Sequence, residues 1–297
     1  MGLENRATLR QGYAWVRRRL EEAGCDSPAF DASCLLEEAC GVVRGELPVK
    51  GDRLLTEREA ARLTAAAEER AAGRPLQYIL GQWDFLGLTL SVGEGVLIPR
   101  PDTERLCEWA AGQLSGYRSP RILDLCAGSG CVGLGVASLC PGIWGEAVEW
   151  SPEAETYLRR NLSRYPQWPL EPVRADVLAG PPQEWGGRRY EAILSNPPYI
   201  PTEELPGLMR EVRREPSLAL DGGEDGLRFY RAILTRWLPL LASGGFCAVE
   251  VGDGQAQAVA QQMENAGLER VVLLRDYGGI QRVVAGFRPK EETEGAR

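Results

Sequence analysis

Asn196-Pro197-Pro198-Tyr199 follows directly on Tyr190-Glu-Ala-Ile-Leu-Ser195, a short run that reads as a β-strand. The two prolines remove backbone donors and stiffen the turn, so the segment presents carbonyl oxygens, and the Asn196 side chain adds another acceptor. Such a corner suits a planar NH2 group, a side-chain amide or an exocyclic amine, whose nitrogen is a weak nucleophile because its lone pair is delocalised. With Asn196 Oδ1 and the Pro197 carbonyl each accepting one N–H, the nitrogen is fixed and its lone pair exposed; positioning then supplies much of the acceleration. Tyr199 is expected to stack on the planar group. The plainer alternative is a rigid turn with a packed tyrosine. Attack on a methyl donor needs no strong general base, because a newly alkylated amide nitrogen sheds its proton to solvent. The chain contains no histidine, which rules out His-based nucleophilic triads and the usual zinc sets, and no metal site is expected.

A second constellation lies upstream. Arg121-Ile-Leu-Asp124-Leu-Cys126-Ala127-Gly128-Ser129-Gly130-Cys131 reads as a strand, a glycine turn and the start of a helix. Glycine is needed there because a Cβ would block backbone approach to a ligand at the open carboxyl edge of a sheet. The loop alone fits two cofactors. Gly128-x-Gly130-x-x-Gly133 satisfies the dinucleotide fingerprint, with Glu149 at about the spacing of a ribose-binding acid. Asp124, two residues before the turn, suits the ammonium of a methionine moiety better than a pyrophosphate and favours S-adenosyl-L-methionine. Glu149 has two oxygens for the ribose hydroxyls; Asp176 can accept from the adenine amino group, with Val177 against the ring. The alternative for both acids is a solvated loop carboxylate.

The elements that must position these groups fall into two parts. Residues 1–75 read as a small helical bundle. Leu9, Tyr13, Val16 and Leu20 recur at helical spacing, Ser27-Pro28 opens a second helix that stops near Gly41, and Thr56 with Glu59 is a capping-box pattern. Residues 76–98 read as a β-hairpin linker of short β-prone runs, Trp83 to Leu90 and Val96 to Ile98, punctuated by glycines. Residues 99–289 read as an α/β domain with strands at Arg121–Leu125, Gly145–Glu149, Glu171–Ala175, Glu191–Ser195, Phe246–Val251, Val271–Arg275 and Gln281–Phe287. Only Asp276 to Ile280 separates the last two, too short for a helical crossover, so they should be antiparallel neighbours. The fold class is therefore α/β, a class I (Rossmann-like) methyltransferase sheet of seven strands with an antiparallel last strand. The tail, 290–297, is polar and charged and is expected to be disordered.

Composition narrows the partners. The chain has 297 residues, 44% hydrophobic and 26% charged, and a formal net charge of −8. That field opposes a polyanion, and up to Arg74 there are 12 Lys+Arg against 13 Asp+Glu, so no basic block offers itself to nucleic acid. No apolar run reaches the roughly 18 residues of a membrane span, and Met1-Gly2-Leu3-Glu4-Asn5-Arg6 lacks the apolar core of a secretory signal. The expectation is a cytoplasmic, monomeric protein with no membrane or direct nucleic-acid partner. The eight cysteines form no Cys-x-x-Cys pair and read as buried free thiols.

Taken together, Gly73-Arg-Pro-Leu-Gln-Tyr-Ile-Leu-Gly81, Leu97-Ile-Pro-Arg-Pro-Asp-Thr-Glu104, the Asp124 to Gly130 loop, Ser195 to Ile200, Glu215-Pro216 and Gly222-Gly223-Glu-Asp225-Gly226-Leu227 resemble the HemK/PrmC release factor glutamine methyltransferases over nearly the whole chain. The resemblance implies a helical N-terminal domain that recognises class I peptide chain release factors, and methylation of the glutamine in their Gly-Gly-Gln loop. It also implies that Cys126 to Gly130, Glu149 and Val177 hold the cofactor, that Asn196 to Tyr199 hold glutamine and cofactor together, and that Pro99 and Arg100 border the pocket as part of the substrate site. Two positions depart from the family: Glu149 stands where Asp is usual, and Val177 where some members carry an aromatic. Four other readings remain at this point: a ribosomal-protein glutamine methyltransferase, an adenine-N6 DNA methyltransferase, an NAD-dependent oxidoreductase and a cofactor-binding regulator without turnover, against which the intact loop argues.

Overall fold

A computed structural model describes residues 6–291. Of the expected disordered tail, residues 292–297 lie outside the described residues; Glu291 N–H donates to Ser243 Oγ at 2.7 Å. The described chain forms two compact units: residues up to Gln82 together with Met209–Arg214, and Trp83–Leu208 together with the residues from Glu215 on.

The first unit is helical: α1 (Leu9–Glu22), α2 (Pro28–Cys40), α3 (Leu47–Lys50), α4 (Glu57–Ala71) and α5 (Leu76–Leu80). Full capping boxes open α1 at Thr8 with Gln11 and α4 at Thr56 with Glu59, each satisfying amide donors that the first helical turn leaves over. The inner stripe of α1 is Leu9, Gly12, Val16 and Leu20. Tyr13 sits beside that stripe and its hydroxyl donates to the Ala29 carbonyl. Arg70, 4% exposed, pairs with the equally buried Asp31 at 2.7 Å and with Glu211 at 2.6 Å. Met209–Arg214 is thereby tied to the helices by charge as well as by the Arg210 bond to the Ala72 carbonyl.

All but the first residue of a hairpin, β1 (Gln82–Phe85) and β2 (Leu88–Ser91), opens the second unit; it is turned by Leu86 and Gly87 at φ 48° and 74°, the left-handed pair that a type I′ turn requires. The β-prone reading of 76–98 fails at both ends. Leu76–Leu80 coils into α5 between Pro75 and a left-handed Gly81, burying Leu76 and Tyr78. Val96–Ile98 joins no sheet, because the Ile98 amide donates instead to the Glu215 carboxylate at 3.0 Å.

Beyond α6 (Pro101–Leu114), strands and helices alternate: β3 (Arg121–Leu125), α7 (Cys131–Leu139), β4 (Trp144–Glu149), α8 (Pro152–Arg164), β5 (Leu170–Arg174) and β6 (Tyr190–Ser195). A short parallel pair, β7 (Ile200–Pro201) and β8 (Asp221–Gly223), precedes α9 (Arg228–Ala232); β9 (Leu241–Glu250), α10 (Ala256–Asn265), β10 (Glu269–Arg275) and β11 (Gln281–Phe287) complete the chain. The seven-stranded sheet runs β10-β11-β9-β6-β3-β4-β5, with β11 antiparallel to both its neighbours. Successive residues of the central strands face opposite layers. Ile122 and Leu194 pack with Leu106, Leu134 and Leu158, while Leu123 and Ile193 pack with Ile233, Trp237 and Val259. The chain winds outward from β3 to β5 and returns to lay β6 against the other side of β3, with Leu125 opposite Ser195. The loops that leave these two strands diverge to opposite sides, and a crevice opens between them.

Candidate active site

The loop after β3 is shaped by its backbone. Cys126, Gly128 and Gly130 have φ of 59°, 56° and 84°, a region that costs a side-chain-bearing residue energy and glycine almost none. The three glycines then differ in use. A Cβ on Gly130 would lie 2.8 Å from Leu158 of α8, and one on Gly133 would lie 3.1 Å from Asp124 Oδ2, so Gly130 lets the loop pass close to α8 and Gly133 lets α7 sit tightly on the sheet. A Cβ on Gly128 would meet only Val96, at 4.0 Å, and would stand in open space. The bare backbone is thus turned to the crevice.

Three acids mark the strand ends, in different settings. Glu149 closes β4 under the loop: Oε2 accepts from Gly128 N–H at 2.8 Å, and Oε1 from Trp150 and Ser151 N–H at 2.8 and 2.7 Å. Burial pushes its pKa up against those three bonds, which also use most of the four or so acceptor positions of a carboxylate. Asp176, after β5, caps Leu178 N–H with Oδ1 at 2.8 Å. Asp124 differs from the expectation that it meets an ammonium. It is fully buried, its Oδ2 accepts from Gly133 N–H at 2.9 Å, its Oδ1 has no hydrogen-bond partner among the described residues, and it is absent from the cavity wall. Alternation along β3 turns it beneath α7, and burial pushes its carboxyl up to about 7.

The Asn-Pro-Pro-Tyr segment leaves β6 beside that loop. Asn196 Nδ2 donates to Thr103 Oγ1 at 3.1 Å, and no hydrogen bond within the described residues reaches its Oδ1. The segment is packed from behind by glycines: a Cβ on Gly222 would lie 2.7 Å from the Tyr199 main chain, and one on Gly226 2.4 Å from the Tyr199 carbonyl oxygen. Gln255 Nε2 holds that same carbonyl at 2.8 Å.

One cavity collects most of these groups at the carboxyl edge of the sheet. Its wall includes Cys126, Ala127, Gly128 and Ser129 from the loop, Glu149, Asp176 and Val177 from the strand ends, and Asn196 and Pro198. It does not include Gly130, which caps α7, or Pro197, which is buried. Tyr199 is also outside the wall, so the stacking expected of it is corrected: the ring packs with the core on the α9–α10 side of the sheet. Arg100 is paired with Glu215 and is not part of the wall, while its neighbour Pro99 lines the cavity. Sequence reasoning missed Trp150 and Ser151, Pro216 and Leu218, and Arg228 and Phe229, all in the wall. It also passed over Thr103 and Glu250 behind it, although Thr103 stood inside a motif it singled out.

The sheet order, with its antiparallel strand inserted next to the edge and the cavity at the β3–β6 switch point, defines a class I methyltransferase. A methyltransferase from Pyrococcus furiosus shares this fold, with a TM-score of 0.50 at 17% identity, over 68% of this chain and 90% of that one. Residues 11–81 match the family model of the PrmC N-terminal domain. The chain is 38% identical to the release factor glutamine methyltransferase of Moorella thermoacetica over 286 residues, covering 96% of this chain and 100% of that one. It is also 38% identical to the enzyme of that name from Geobacter sulfurreducens, over 94% of this chain and 96% of the other. The chain belongs to the release factor glutamine methyltransferase family.

Proposed function

We propose that the protein transfers a methyl group from S-adenosyl-L-methionine to the side-chain amide nitrogen, N5, of the glutamine in the Gly-Gly-Gln motif of class I peptide chain release factors. The observation that carries this reading is Asn196, whose Oδ1 takes no hydrogen bond among the described residues and whose side chain stands in the same cavity wall as the glycine loop.

The residues fit the methyl donor. Gly128 leaves the loop backbone bare on the cavity side, Glu149 keeps acceptor capacity for about one ribose hydroxyl, and Asp176 Oδ2 is available to an adenine amino group beside Val177 and Leu178. When bound, S-adenosyl-L-methionine supplies a methyl carbon on a positively charged sulfur that departs as a neutral thioether. Asn196 Oδ1 and the Pro197 carbonyl would accept the two N–H bonds of the glutamine amide and so fix its nitrogen with the lone pair exposed for the methyl group the cofactor would supply. The nitrogen lone pair forms the new N–C bond, and the surplus proton passes from the alkylated amide to solvent. Asp124 acts at one remove, bracing α7 against β3 through Gly133.

Mass spectrometry of a release factor incubated with enzyme and isotope-labelled donor tests the reading. One methyl group is expected on the Gly-Gly-Gln peptide, and Gln→Glu in that peptide removes it. Label on a ribosomal protein or on DNA, with none on the release factor, would contradict it.

A further inference from the structure

Asn196 is held from behind by Thr103, which is held in turn by Glu250. Its Nδ2 donates to Thr103 Oγ1 at 3.1 Å, and the Thr103 hydroxyl donates to Glu250 Oε2 at 2.6 Å. Thr103, on α6, is 0% exposed and Glu250, at the end of β9, is 2% exposed. An ionised carboxylate only accepts, so the Thr103 proton is committed to Glu250 and Thr103 offers Asn196 a lone pair. Only the NH2 end of the Asn196 amide can answer it. The other end, Oδ1, is thereby turned away from Thr103 and toward the cavity.

We propose that Thr103 and Glu250 are positioning residues for methyl transfer, setting the polarity of the Asn196 amide so that an acceptor, not a donor, meets the substrate N–H. The inference rests on the reading of Asn196 given under the proposed function. Without the relay the two ends of the amide compete for the same place, and the reversed rotamer sets NH2 against NH2. That arrangement repels the substrate nitrogen it should hold.

The relay is also sensitive to proton concentration. Glu250 is faced by Asp102 from α6, Arg100 from its N-terminus, Arg282 from β11 and Tyr199 from the loop after β6; Tyr230 of α9 donates to the Glu250 main-chain carbonyl at 3.0 Å. The thiols of Cys107 and Cys131 also feel its charge. Burial pushes the Glu250 carboxyl up to about 7 against the Thr103 bond, with Asp102 adding to the rise and Arg282 and Arg100 opposing it. Once protonated, Glu250 has a proton of its own to give, Thr103 is free to donate to Asn196, and the amide can turn round. Transfer is therefore favoured by the ionised form and falls as pH drops through about 7.

The test uses the full chain with a release factor as substrate, and follows kcat and KM alongside S-adenosyl-L-methionine affinity as a check on folding. Thr103→Val keeps the shape and removes the hydroxyl; kcat should fall about 10-fold or more, with KM and donor affinity within a few-fold. Thr103→Ser should recover most of the loss, and Glu250→Gln should flatten the pH profile near 7. A valine variant with wild-type kcat, a serine variant as slow as valine, or a glutamine variant with the wild-type pH profile would each overturn the proposal. Should the valine variant fail to fold, spectra of the wild-type protein labelled with 15N at asparagine decide the matter. The Asn196 side-chain amide should titrate near 7 and cease to do so in Glu250→Gln; an amide that never titrates overturns the relay. A wild-type protein with that titration but no transfer to glutamine supports the relay and contradicts the glutamine reading alone.

Discussion

Asn196 combines a side chain fixed at one end with an acceptor that takes no hydrogen bond among the described residues at the other, and the two properties have separable consequences. Asn196→Ala removes the acceptor while the glycine loop, Glu149 and Asp176 stay in place. Methyl transfer should fall on the order of 10²-fold or more, with affinity for the donor within a few-fold. Equal losses of both, by single-turnover transfer and calorimetry, would put Asn196 in cofactor binding instead. Gly222 acts through the same loop without touching substrate. A Cβ there meets the Tyr199 main chain at 2.7 Å, and backbone cannot swing aside as a side chain can. Gly222→Ala should therefore lower kcat about 10-fold or more through a displaced loop; an alanine variant at wild-type kcat would show that the loop tolerates the shift.

At the scale of elements, the site is a meeting of strand ends with segments tied down from a distance. Glu215 does this for 97–100, accepting from the Ile98 amide and pairing with Arg100. Glu215→Ala leaves a buried amide and a guanidinium without that partner, and urea unfolding should show a loss of about 2–4 kcal/mol; a loss below about 1 kcal/mol would mean the segment is held by its apolar contacts alone. The sheet was readable from sequence because most of its strands are short apolar runs closed by a turn, and the five-residue gap 276–280 fixed the antiparallel pair. The run 76–80 misled because five residues are too few to separate a helical from an extended pattern, and it is the left-handed Gly81 that ends the coil. Val96–Ile98 looked like a strand because it is buried, yet its backbone partner is a side chain more than a hundred residues away. The site residues divide in the same way. Motifs gave their place along the chain but not the face to which each side chain turns. So Cys126, Glu149 and Asn196 fell into the cavity wall, while Asp124, Tyr199 and Arg100 did not. Period-two alternation along β3 was the signal that could have placed Asp124 under α7.

For the molecule as a whole, the lack of histidine makes its response to pH unusually easy to assign. Asp124 and Glu250 both have carboxyls pushed up to about 7 by burial, against ordinary values near 4. Between those limits the folded state holds protons that the unfolded state has released, so their contribution to stability is complete below about 4 and is lost as pH rises through about 7. Glu59 and Asp225 lie at the other extreme, each drawn down to about 2 by hydrogen bonds from an arginine, and lose their contribution only as pH falls below about 4. Tm should therefore be higher near pH 5 than near pH 8, and Asp124→Asn should reduce the difference; a Tm that rises across that interval would contradict the assignment. Methyl transfer by this site depends on where a glutamine side chain sits in the cavity. A crystal structure with S-adenosylhomocysteine and a Gly-Gly-Gln peptide measures this most directly. The expected result is an amide nitrogen within hydrogen-bonding distance of both Asn196 Oδ1 and the Pro197 carbonyl, and pointed at the sulfur. A glutamine held by other groups, or an Asn196 whose NH2 end faces the substrate, would contradict it.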